Sequence, residues 1–154
     1  MTSILLNIIV VGFPVLLAIT LHEAAHGYVA LHYGDDTAKR AGRISLNPLR
    51  HIDVIGTVLI PAFLLLCQAP FLFGYAKPVP VDFSRLHNPK KDSIFVAIAG
   101  PAMNILLAWG SALLFHFLPL LPASLAVYGQ EMLTISLLIN VTLALFNMIP
   151  LPPL

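Results

Sequence analysis

The chain has 154 residues, a length that suits one domain, and 58% of them are apolar against 10% charged. Together with a mean hydropathy of +0.91, this excludes an ordinary soluble globular domain, in which about 25% of residues are charged. A net charge of +1, with no Lys/Arg run interleaved with aromatics, excludes a nucleic-acid surface.

Four apolar stretches, about 4–31, 54–73, 94–118 and 125–148, reach or approach the roughly 20 helical residues that cross a hydrocarbon core of about 30 Å. The fold class predicted is all-α, a polytopic transmembrane helix bundle of about four membrane segments, forming a single domain over 1–154. The N-terminus lacks the basic segment and small-residue cleavage site of a signal peptide, so the first stretch is read as a mature membrane helix.

That first stretch contains His22-Glu23-Ala24-Ala25-His26. On a helix the two histidines stand one turn apart, with Cβ atoms about 5–6 Å from each other. Both imidazoles can then reach one zinc ion at about 2.0–2.1 Å. Glu23 lies about 100° around the helix from His22, beside that ion, where a carboxylate can hold a water and take its proton. The bland alternative is a chance His–Glu–His cluster on a soluble helix. Three ionisable groups inside an apolar span are costly, however, and such groups mark functional sites.

Gly34 ends this helix and Asp35-Asp36 opens a polar turn. Within the 34–53 connector, Arg43-Ile44-Ser45-Leu46 alternates polar and apolar residues. The pattern suits a short β-strand or hairpin with a free edge for an extended peptide, and equally a plain solvated loop. In the second stretch Pro61 predicts a kink, and the single Cys67 is read as a small buried side chain that can form no internal disulfide. The 74–83 connector is Pro-punctuated and extended, and 84–92 reads as a basic, headgroup-facing segment. With four crossings the two connectors face opposite sides. Each carries four Lys/Arg, so the positive-inside rule returns a tie.

In the third stretch Gly100, Asn104, Ala108 and Ala112 form a small-residue stripe suited to close helix packing. Pro101 bends the helix or starts it. Asn104 either bonds a neighbouring helix or faces the site, and His116 reads as interfacial. Pro150-Leu151-Pro152-Pro153 must end the fourth helix. A catalytic zinc usually takes three protein ligands. Apart from Glu23, every acid falls in a connector or near a helix end, so composition supplies two ligands and no third.

The ordered motifs resemble the site-2 protease family of intramembrane zinc metalloproteases. They are the HExxH at His22–His26, Ala41-Gly42-Arg43 with Leu46-Asn47-Pro48, and His51-Ile52-Asp53 with Gly56-Thr57. Further on come Phe73-Gly74-Tyr75-Ala76-Lys77-Pro78-Val79-Pro80, Ala99-Gly100-Pro101-Ala102-Met103-Asn104 and Asn147-Met148-Ile149-Pro150-Leu151-Pro152-Pro153-Leu154. The resemblance implies that His22 and His26 bind one Zn²⁺, that Glu23 is the general base, and that Asn104, Asn147 and Pro150 lie near the substrate. It implies a multi-pass enzyme of the plasma or inner membrane that cuts other membrane proteins in or near their transmembrane segments. The lipid bilayer and the membrane-protein substrate are its partners, nucleic acid is not one, and the oligomeric state stays open. In the family the last motif continues into Leu-Asp-Gly, whose Asp is the third ligand. This sequence stops at Leu154, which reads as a truncation.

A helical substrate would have to unwind and dock beside the 43–46 edge or the 74–81 connector. Two other readings remain: a metal-binding membrane protein without catalysis, and an ion-relaying transporter. The second is disfavoured because HExxH has no counterpart in the second half of the chain.

Overall fold

A computed structural model describes residues 2–69 and 76–149. Three helices are long and apolar enough to cross a membrane: α1 (Thr2–His32), α4 (Pro89–Phe115) and α5 (Ala123–Met148). Between α1 and α4 lie two short helices, α2 (Thr37–Arg40) and α3 (Ile60–Leu66), the latter entered through a π-helical segment, Val54–Leu59. No strand occurs among the described residues. The all-α bundle is as predicted.

Burial is inverted relative to a water-soluble protein. The largest fully buried side chains are His51, Asn104, Asn140 and Asp35, while Phe13, Trp109 and Phe146 are exposed. Large apolar side chains facing outwards, around an interior of small apolar residues and buried polar groups, suit a lipid solvent, because hydrocarbon tails are as apolar as leucine.

α1, α4 and α5 all pack against one another, with α4 making the most extensive contacts. Its buried line is Asp92, Val96, Gly100, Asn104, Ala108 and Ser111. The predicted stripe holds through Ala108, and Ser111 then replaces Ala112, because a helix of 3.6 residues per turn drifts off a strict spacing of four. Pro101 lies inside α4 and does not start it. The helix begins at Pro89, where the Asp92 carboxylate accepts from Asn88 N at 2.6 Å.

The second predicted membrane segment is corrected. The 54–66 segment is helical, and at 1.5 Å per residue it rises about 20 Å against a core of about 30 Å. Residues 70–75 lie outside the described part. The connectors on either side of it meet: Lys77 N donates to His51 O at 2.9 Å, and His87 N to Tyr33 O at 2.9 Å. Arg85 pairs with Asp36 at 3.2 Å. They therefore occupy one end of the bundle, where four crossings would have separated them.

The 43–46 alternation forms no strand either. Side chains tie the segment to its neighbours instead: His51 Nε2 donates to Ser45 O at 2.9 Å, Arg50 Nη1 to Gly42 O at 2.8 Å, and Arg43 Nη1 to Arg50 O. Cys67 is exposed rather than buried. Glu131 lies within α5, two turns from its start.

Placing both connectors at one end breaks the charge tie. All 8 Lys/Arg of this sequence fall between residues 39 and 91, hence at that end, which the positive-inside rule assigns to the cytoplasm. With Cys67 replaced by Ser, a membrane-impermeant maleimide should label Ala123→Cys in intact cells and leave Lys39→Cys unlabelled. The reverse pattern would invert the orientation.

Candidate metal centre

His22 and His26 lie ten and six residues before His32, the end of α1, so they sit about 15 and 9 Å along the helix from the charged end. α4 runs antiparallel beside them. His26 Nδ1 donates to Val96 O at 2.7 Å, and one turn on His22 Nδ1 bonds Asn104 Oδ1. Between these contacts lies Gly100. A Cβ there would collide with both imidazoles, so its absence lets α4 close onto the pair.

The rings meet edge to face, with centroids 4.7 Å apart and planes 80° to each other. Val96 O can only accept, which places the His26 proton on Nδ1, and Asn104 Oδ1 does the same for His22. Each neutral ring then has a bare Nε2, and the two Nε2 atoms stand 3.1 Å apart. Two lone pairs at that distance repel unless a cation lies between them. One ion at about 2.0–2.1 Å from each nitrogen spans the gap. The pair fits zinc, and both Nδ1 bonds are the supporting contacts that orient metal-binding imidazoles.

Glu23 faces a different neighbour. Its Oε2 accepts from Val79 N at 2.7 Å, while Lys77 N, two residues earlier, is bound to His51 O. Val79 is buried, and a Cβ on Gly27 would sit 3.1 Å from its Cγ1. Gly27 thus allows the 77–82 segment to approach α1 one turn after Glu23. The segment is anchored again where Asp35 Oδ2 accepts from Asp82 N at 2.8 Å. Burial pushes the Asp35 carboxyl up, but the Thr37 hydroxyl and amide, the Asp82 amide and the Arg85 guanidinium together hold it below the usual carboxylate range. A carboxylate depressed by folding stabilises the fold above its unfolded pKa, and that contribution is lost as pH falls through the folded value. The anchor is therefore intact at neutral pH.

The site gathers His22, Glu23, His26 and Asn104. Asn147 is exposed on α5, where its Nδ2 donates to Leu143 O at 2.8 Å, and it lines a separate groove of about 290 Å³ with Pro101 and Ile105. Pro150 lies outside the described residues. Among the described residues no third His, Cys, Asp or Glu joins the pair. Sequence reasoning missed Val79, which acts through its backbone. It also missed Asn140, an amide at membrane depth whose signal is the one that singled out Asn104.

Fold and site together define a membrane-type helix bundle with an HExxH histidine pair held between two of its long helices. The chain is similar to "Putative zinc metalloprotease YwhC" of Bacillus subtilis, 41% identical over 150 residues that cover 90% of this chain and 62% of that protein. It is also similar to "Putative zinc metalloprotease Rip2" of Mycolicibacterium smegmatis, 30% identical over 95 residues, 60% of this chain and 34% of that protein. The chain thus spans less than two thirds of the length of these curated relatives. No family model and no solved structure matches it.

Proposed function

We propose that the chain carries the active site of a site-2-type intramembrane zinc endopeptidase, which hydrolyses peptide bonds in or near transmembrane segments of other proteins of the cell membrane. The observation that carries this reading is the pair of bare Nε2 atoms 3.1 Å apart inside an apolar span. Both relatives bear zinc-metalloprotease names, which supports it. Bound zinc supplies a water whose pKa falls to about 7 and polarises the peptide carbonyl. His22 and His26 would hold the ion through their Nε2 atoms. The Val79 amide fixes Glu23 Oε2, which leaves Oε1 to take a proton and later deliver it to the leaving amine.

A groove of about 440 Å³ lies between α1 and α4, lined by Leu21, Ala24, Ala25, Ala99 and Met103 together with Leu46. An unwound apolar segment fits its chemistry. Of the two docking edges, 77–80 offers no donor: Pro78 and Pro80 lack N–H groups, and those of Lys77 and Val79 are taken.

The reading is tested on purified protein that has been stripped of metal and reloaded with zinc. Stoichiometric zinc with chelator-sensitive cleavage of a transmembrane reporter is the expected result. Zinc binding without cleavage would favour a non-catalytic metal protein, a second reading that rests on the two-ligand set.

The backbone anchor gives a further expected result. Val79→Pro removes the N–H that holds Glu23, whereas Val79→Ala keeps it. A hydrogen bond to a charged group contributes about 1.5–3 kcal/mol, so kcat should fall about 10-fold or more beyond Val79→Ala, with zinc content unchanged. Equal rates for the two variants would remove Val79 from this role.

A further inference from the structure

Asn104 sets the tautomer of His22 only if its amide oxygen, and not its nitrogen, faces the ring. An isolated asparagine side chain can present either. Its partner on the far side is Asn140 of α5, and both residues are almost wholly buried. Asn140 has a neighbour that leaves no choice: Ser136 O, a backbone carbonyl, which can only accept. The Asn140 atom 2.8 Å from it must be Nδ2. Asn140 Oδ1 therefore faces Asn104, which must present Nδ2 across 2.7 Å. Asn104 Oδ1 is then turned to His22, and His22 must carry its proton on Nδ1.

We propose that Asn140 is a positioning residue for the metal centre: the Ser136 carbonyl, relayed through the amides of Asn140 and Asn104, keeps His22 Nε2 unprotonated and ready for zinc. This rests on the zinc reading of the histidine pair. Without the Asn140 oxygen, Asn104 is free to flip and offer Nδ2 to the ring. His22 would then accept at Nδ1 and keep its proton on Nε2, where the metal must bind, with the Gly100 backbone, the ring's other hydrogen-bond partner on α4, left as the group opposing the shift. α5, which contributes no atom to the pair itself, thereby controls the chemistry of a ligand on α1.

The test compares Asn140→Leu, close in shape but with no oxygen, with Asn140→Asp, which keeps an acceptor toward Asn104. Ser111→Ala serves as a control, because it removes the Ser111–Ser136 hydroxyl pair at 2.8 Å and leaves the amide relay in place. Nitrogen NMR of zinc-free, 15N-histidine-labelled protein should show His22 protonated on Nδ1 in the wild type, Asn140→Asp and Ser111→Ala. Asn140→Leu should show Nε2-protonated ring. In chelator competition Asn140→Leu should bind zinc about 10–100-fold more weakly, the usual loss for a partner behind a metal ligand. If Leu disturbs α5, which circular dichroism would reveal, Asn140→Ala carries the same expectation. A wild-type tautomer in Asn140→Leu, or equal zinc loss in all the variants, overturns the proposal. A wild type that binds no zinc defeats the functional reading instead, and the tautomer comparison still decides the relay.

Discussion

Glu23→Gln should lower cleavage by about 10²–10⁴-fold, the range a positioned general base contributes, while zinc content stays at the wild-type level. Both halves follow from the geometry. Glutamine is isosteric with glutamate, and its Oε1 can still accept from Val79 N, so the 77–82 segment keeps its anchor on α1. His22 and His26 keep their Asn104 and Val96 partners, so the metal pair is untouched. What disappears is the ability of the second oxygen to take a proton. The loss should therefore appear in kcat with KM little changed, as expected for an interaction made only in the transition state. His26→Ala should behave differently and lose the metal as well. Cleavage by Glu23→Gln at the wild-type rate would remove Glu23 from the chemistry.

The parts of this arrangement legible in the sequence are those that repeat along one helix. His22 and His26 are separated by one turn, and the apolar runs of α1, α4 and α5 are long enough to be unambiguous. The 54–73 run was misleading because apolar composition does not distinguish a crossing helix from a shorter one whose ends return to the same side. Only the bonds from Lys77 to His51 and from His87 to Tyr33 reveal the return, and they join residues 26 and 54 positions apart. For a related reason the 43–46 alternation could not decide between a strand and the loop that the structure shows. Arg43, Arg50 and His51 supply donors to nearby carbonyls, so the segment needs no neighbouring strand. Asn104 was visible as an amide in an apolar span, but its two possible roles could not be separated. The structure shows it filling both, bonding α5 on one side and His22 on the other.

Gly100→Ala should weaken zinc binding and destabilise the bundle, against the usual trend for a helix. Inside a helix alanine is favoured over glycine by about 1 kcal/mol, and on that ground alone α4 should gain. At position 100 the added Cβ would occupy space held by the His22 and His26 rings. The rings cannot simply turn away, because their Nδ1 atoms are bonded to α4 on both sides of Gly100, at Val96 and Asn104. α4 must therefore move back from α1, at an overpacking cost of about 1–3 kcal/mol, and the Nδ1 bonds lengthen as it does. The cost exceeds the propensity gain over most of that range, and zinc affinity falls with the loss of ring orientation. Gly110, on the same helix, is the control: a Cβ there meets nothing within 4 Å. Gly110→Ala should be neutral or stabilising and keep its zinc. Thermal unfolding of both variants, with and without zinc, reads the difference. A Gly100→Ala protein as stable and as zinc-loaded as Gly110→Ala would mean that α4 does not close on the histidine pair as described.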